Sequence, residues 1–91
     1  MSATTTTDQA THWLTCLIYK GMFSDEVVIS YPSTGEPVFS DFVPSDRVSG
    51  EPGTIGRVKV RVFERNGKQI AILPTCYSDS VLAAPQDLVK L

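Results

Sequence analysis

The pair Asn66-Gly67 constrains this chain more than any other feature of its sequence. Both residues tolerate a positive φ, which is what a tight two-residue type I′ turn requires. Ahead of the pair, Val58, Val60 and Val62 alternate with Lys59, Arg61 and Phe63, and that is strand periodicity. The segment from Arg57 to Thr75 therefore reads as a β-hairpin. Counting outward from the turn sets Arg65 opposite Lys68, Phe63 opposite Ile70, Val62 opposite Ala71, Arg61 opposite Ile72 and Val60 opposite Leu73. One face is apolar on both strands. The other is apolar on one strand and mixed basic and aromatic on its neighbour.

The rest of the chain carries the same signature in shorter pieces. From His12 to Lys20 apolar groups fall at both parities, with Trp13, Leu17 and Tyr19 on one side and Leu14, Cys16 and Ile18 on the other. Such a strand is either central and covered twice, or it wraps a barrel corner. Glu26 to Tyr31 alternates cleanly, and Val27, Ile29 and Tyr31 are expected to point inward. The turn formers of 32–37 separate it from a strand at Val38 to Val43. There either Phe39 and Val43 or Val38 and Phe42 face the core. Pro44 to Gly56, rich in Pro, Gly and Ser, is expected to be the longest loop, with Asp46 accepting backbone hydrogen bonds in its first turn.

After Thr75, residues 77–80 read as a turn and Val81 to Ala84 as a short last strand. Pro85-Gln86-Asp87-Leu88 has the form of a single helical or 3-10 turn, with Pro favoured at its first position. The expected fold is all-β: a small antiparallel barrel or strongly twisted sheet of five or six short strands, closed by that C-terminal turn. In architecture this is similar to small SH3-like and OB-like barrels. At 91 residues the chain makes one domain, expected over 12–91. Residues 1–11, with five Thr and no large apolar group after Met1, form a tail too polar to offset the entropy of ordering it.

Charge is distributed unevenly. Arg57, Lys59, Arg61, Arg65 and Lys68 stand against Glu64 alone, a net of +4 in one hairpin; the rest of the chain nets −6, giving −2 overall. Cations interleaved with Phe63, Ile70 and Ile72 make a surface suited to an acidic partner or, by phosphate pairing and stacking, to a nucleic-acid strand. The competing reading is structural: Phe63, Ile70 and Ile72 lie under the strand from His12 to Lys20, and the basic stems run along the edge with their heads in water. A homodimer would bury the same face.

Signals for chemistry are weak. The chain has a single histidine, His12, beside the Thr-rich tail, and general acid–base work needs a titratable partner near the reacting group. Cys16 and Cys76 are read as two buried thiols in a reducing compartment, and Cys76 near Asp79 lacks the electropositive surroundings of a reactive thiol. His12, Cys16 and Cys76 show none of the paired spacing of a zinc site, and the glycines of 50–56 do not form a phosphate loop. No cofactor or metal is expected. The longest apolar run, Trp13 to Tyr19, is too short to span a bilayer, and the N-terminus lacks a basic leader, so a cytoplasmic address is expected.

The functional expectation is a non-catalytic protein-interaction or accessory module, not an enzyme, working through Lys59, Arg61, Phe63, Arg65, Ile70 and Ile72 on a protein partner or a second copy of itself. The alternative is a nucleic-acid-binding small barrel using the basic hairpin 57–68. An overall pI near 5.1 favours the first, since nucleic-acid binders usually carry a clearly basic domain.

Overall fold

A computed structural model describes residues 10–32 and 38–91. Its strands, in chain order, are β1 (His12–Lys20), β2 (Glu26–Tyr31), β3 (Phe39–Pro44), β4 (Val48–Ser49), β5 (Ile55–Arg65), β6 (Lys68–Ile72), β7 (Ser80–Ala83) and β8 (Leu88–Lys90). Six of them follow the path β3-β2-β1-β5-β6-β7 and roll into a nearly closed antiparallel barrel, the small all-β fold expected. The two shortest lie off that path: β4 pairs with β5, and β8 pairs with β1.

The hairpin forms as the turn chemistry dictates. Asn66 has φ 54° and Gly67 φ 76°, both in the left-handed region a type I′ turn needs. Arg65 faces Lys68, Phe63 faces Ile70, Val62 faces Ala71 and Arg61 faces Ile72. The ladder then stops, and the expected partnership of Val60 with Leu73 does not form. Leu73 N–H donates instead to the Asp79 carbonyl at 2.8 Å, and Val60 pairs on the opposite edge of β5 with His12 of β1. β6 accordingly ends at Ile72 rather than at Thr75.

Parity decides the core. β1 contributes Leu14, Cys16 and Ile18, β2 contributes Val27, Ile29 and Tyr31, and β5 contributes Val58 and Val60, all buried. Ala71 and Leu73 join from the β6 side, with Val81 and Ala83 from β7. In β3 the choice falls on Val43, which is buried, and Phe39, which packs against the core cluster; Phe42 and, just before the strand, Val38 are exposed. Taking these side chains out of water is the main stabilising contribution, at roughly 25 cal/mol per Å² of apolar surface. β1 is central but not covered on both sides, since Leu17 and Tyr19 remain exposed.

The stretch Pro44 to Gly56 is more ordered than a long loop. It holds a 3-10 turn at Ser45–Arg47, then β4, and β5 already begins at Ile55. Asp46 makes no cap in that turn, and its carboxylate lies 3.9 Å from the Arg47 guanidinium, mostly in solvent. β4 reaches β5 because Gly56 lacks a side chain. A Cβ there would collide with the Ile18 Cδ1 methyl and the Ser49 carbonyl oxygen.

Most of the Thr-rich tail expected over 1–11 lies outside the described residues. Its last member, Thr11, is hydrogen-bonded to the sheet just ahead of β1: its N–H donates to the Val60 carbonyl (2.9 Å), its hydroxyl accepts from Val62 N–H (3.0 Å), and its carbonyl accepts from Leu91 N–H (3.1 Å).

The expected C-terminal turn is a 3-10 turn at Pro85–Asp87. It is fastened from across the barrel by Tyr31, whose side chain is buried. The Tyr31 hydroxyl donates to Asp87 Oδ2 at 2.7 Å and accepts from Ala84 N–H at 3.0 Å. Burial raises the pKa of this phenol, the Ala84 N–H works against the rise, and the neighbouring Asp87 carboxylate adds to it. From this turn the chain enters β8, a strand not expected from the sequence.

Candidate binding face

Along β5 the residues alternating with the buried Val58 and Val60 are Arg57, Lys59, Arg61, Phe63 and Arg65, and these face outward. On β6 the outward set is Lys68, Ile70 and Ile72, alternating with buried Ala71. All six expected site residues, Lys59, Arg61, Phe63, Arg65, Ile70 and Ile72, therefore share one outer face, in the register counted from the turn. Phe63 is 40% exposed, Ile70 and Ile72 are half-buried, and Arg61, Arg65 and Lys68 are exposed. β1 sits beside β5 in the sheet, paired edge to edge, and does not lie over this face.

Two neighbours complete the surface. Ile70 pairs with Leu82 of β7, so Phe63, Ile70 and Leu82 form one apolar row across three strands. Trp13 of β1 pairs with Lys59, whose ammonium stands 5.7 Å from the indole centroid, a cation–π distance. Trp13 was legible as sharing a face with Leu17 and Tyr19, but which face of β1 turns outward was not. Leu82 was not legible, because its place depends on how β7 pairs with β6.

A second region has the opposite character. An open cleft of about 390 Å³ lies between the end of β3 and the segment following β6, lined by Asp25, Glu26, Phe42, Pro44, Pro74 and Cys76. β3 ends the strand path and offers a bare edge, the usual template for unwanted pairing. Here the edge is blunted: Phe42 N–H donates to its neighbour Asp41 at 2.7 Å, and Pro44 has no N–H to offer.

Cys76 is exposed, against the expectation of a buried thiol, whereas Cys16 is buried as expected and its pKa is pushed up to about 12 by that burial. Cys76 falls in a loop clipped from beneath. The Thr75 hydroxyl donates to Asp79 Oδ2 (2.7 Å) and accepts from Asp79 N–H (3.0 Å), and Ser78 takes φ 53°. His12 Nδ1 lies 2.8 Å from the Thr11 hydroxyl. Among the described residues no group of three or more His, Cys, Asp or Glu side chains is gathered as a metal site would need, and no helix is long and apolar enough to cross a membrane.

Comparison of the chain with protein-family models, with curated proteins and with solved structures finds no significant match.

Proposed function

We propose that this chain is a non-catalytic binding module that docks an acidic protein partner on the outer face of β5 and β6. The observation carrying the proposal is the concentration of five of eight cations of an acidic chain on one hairpin, beside apolar groups the core does not bury. Exposed apolar groups rimmed by charge favour association. The charges steer and orient an oppositely charged partner, while the apolar centre supplies affinity when it is dried.

Nucleic acid is the weaker reading. Single-strand binding draws on several free aromatic platforms along a basic groove. In this strip the Trp13 ring faces the Lys59 ammonium, which leaves Phe63 as the aromatic platform between the cations. The acidic remainder of the chain also repels phosphate.

Within small all-β barrels we propose the SH3-like arrangement, on the strength of a 3-10 turn feeding a last strand that pairs back onto the first. Free Cys16 and Cys76 fit a reducing, cytoplasmic setting.

The test is affinity capture with the intact chain and with Arg61→Glu. The proposal expects a captured acidic protein that the variant no longer retains. A capture pattern indifferent to Arg61→Glu, or a salt-sensitive mobility shift with single-stranded oligonucleotide that Arg61→Glu abolishes, would replace it.

A further inference from the structure

The order of residues on this face defines a partner more narrowly than its charge does. Across the hairpin, moving from the turn inward, the rows are Arg65 with Lys68, Phe63 with Ile70, and Arg61 with Ile72. An apolar shelf of Phe63 and Ile70, continued by Ile72, thus lies between the Arg65–Lys68 row at one end and Arg61 at the other. Successive outward residues on a strand are about 6.6 Å apart, so Arg61 and Arg65 stand about 13 Å apart with Phe63 midway.

In an extended segment, residues at i, i+2 and i+4 project from one side with the same spacing. Its right-handed twist follows that of the strand beneath it. A helix would bring i and i+4 to about 6 Å, half the distance between Arg61 and Arg65.

We infer that the face recognises an extended acidic segment of pattern acidic–x–apolar–x–acidic, its central side chain seated on Phe63 and Ile70 and its carboxylates meeting Arg61 and Arg65. This rests on the reading of the face as a docking site for an acidic protein and adds to it the conformation and phase of the segment. Charge complementarity selects the occupant: the face is cationic at both ends and apolar between. The apolar centre is what separates such a segment from a purely acidic peptide, which has nothing to place on the shelf.

The experiment uses the full chain and fluorescein-labelled nine-residue peptides at low salt, read by fluorescence anisotropy. The in-phase peptide carries aspartate–serine–phenylalanine–serine–aspartate at its centre. The out-of-phase peptide has the same composition with phenylalanine exchanged for an adjacent serine, which turns the ring to the opposite side of an extended chain. The in-phase peptide is expected to bind at least tenfold more tightly. Arg65→Ser, an exposed substitution beside the turn, is expected to weaken both peptides, since each sets an aspartate against it, while leaving the unfolding midpoint unchanged.

Equal affinities for the two peptides overturn the inference but leave charge-driven docking of an acidic protein standing. Absence of saturable binding of either peptide up to millimolar concentration, with a single-stranded oligonucleotide bound instead, overturns both. A concentration-dependent rise in solution mass that Arg65→Ser abolishes assigns the face to a second copy of the chain and likewise overturns the inference.

Discussion

The two faces of the β5–β6 hairpin are built from the same strands and differ only in parity. Inward, Val58, Val60, Ala71 and Leu73 are buried; outward, cations alternate with Phe63, Ile70 and Ile72, which stay partly in water. Because side chains alternate strictly, a slip of one residue would exchange the two sets. The Asn66-Gly67 turn prevents that slip. Stability and recognition are thereby held by interleaved residues a few ångströms apart, and substitutions can be chosen to strike one and spare the other.

The largest effect is expected inward. Leu73→Ala empties a site that is 1% exposed and should lower stability by about 2–5 kcal/mol, seen as a lower urea midpoint. Its outward neighbour Ile72→Ala should cost clearly less. Equal losses would mean that the outer face is as well packed as the core, and the distinction between the faces would fall.

Alkaline pH tests the same division without mutation. Cys16 and Tyr31 both have pKa values raised by burial, Cys16 from 9.0 to about 12. Above pH 9 the unfolded chain releases protons that the native state retains, so the slope of stability with pH is negative there. Stability should be full below pH 9 and should fall progressively toward pH 12. The check is a series of urea midpoints, repeated with Cys16→Ala, whose decline should begin about one unit higher, where tyrosine ionises.

Tyr31→Phe keeps the ring and deletes the hydroxyl, leaving Ala84 N–H and the Asp87 carboxylate without that partner. A loss of about 1–3 kcal/mol is expected in the same denaturation assay. The thiols provide a chemical readout of inside against outside. Under native conditions Ellman's reagent should titrate Cys76 promptly and Cys16 only after denaturant is added. Prompt release of two equivalents would show that β1 opens readily.

The smallest effect on stability is expected from Arg65→Glu, within about 0.5 kcal/mol, because the side chain is exposed. Its effect on partner capture should nonetheless be large. A stability loss comparable to that of Leu73→Ala would recast Arg65 as a structural residue.

How much of this was legible in the sequence follows from how local each signal is. The hairpin register could be counted because two residues fix it, and the inward trio of β2 follows from clean alternation. The two-sided apolar pattern of β1 left its inner face undecided until β2, β5 and β8 were placed around it. Val48-Ser49 and Leu88–Lys90 are too short to show any period and become strands by pairing with β5 and β1. The exposure of Cys76 depends on the Thr75–Asp79 clip, whose geometry is not encoded in spacing. The six outward residues of the candidate face were legible, since parity alone places them; Leu82 required the pairing of β7.

The pairing of β1 has a consequence for how the protein is made. Its partners β2, β5 and β8 come from the beginning, middle and end of the described chain, with His12 set against both Val60 and Lys90. Contacts of such sequence separation give a high contact order, which places folding on the millisecond-to-second scale rather than the microsecond scale. During synthesis, β1 leaves the ribosome ahead of the other described strands and must wait for Leu88–Lys90 to emerge before its last neighbour exists. The barrel is therefore completed only at the end of translation of this domain, and until then β1 keeps an open edge in the crowded surroundings of the nascent chain.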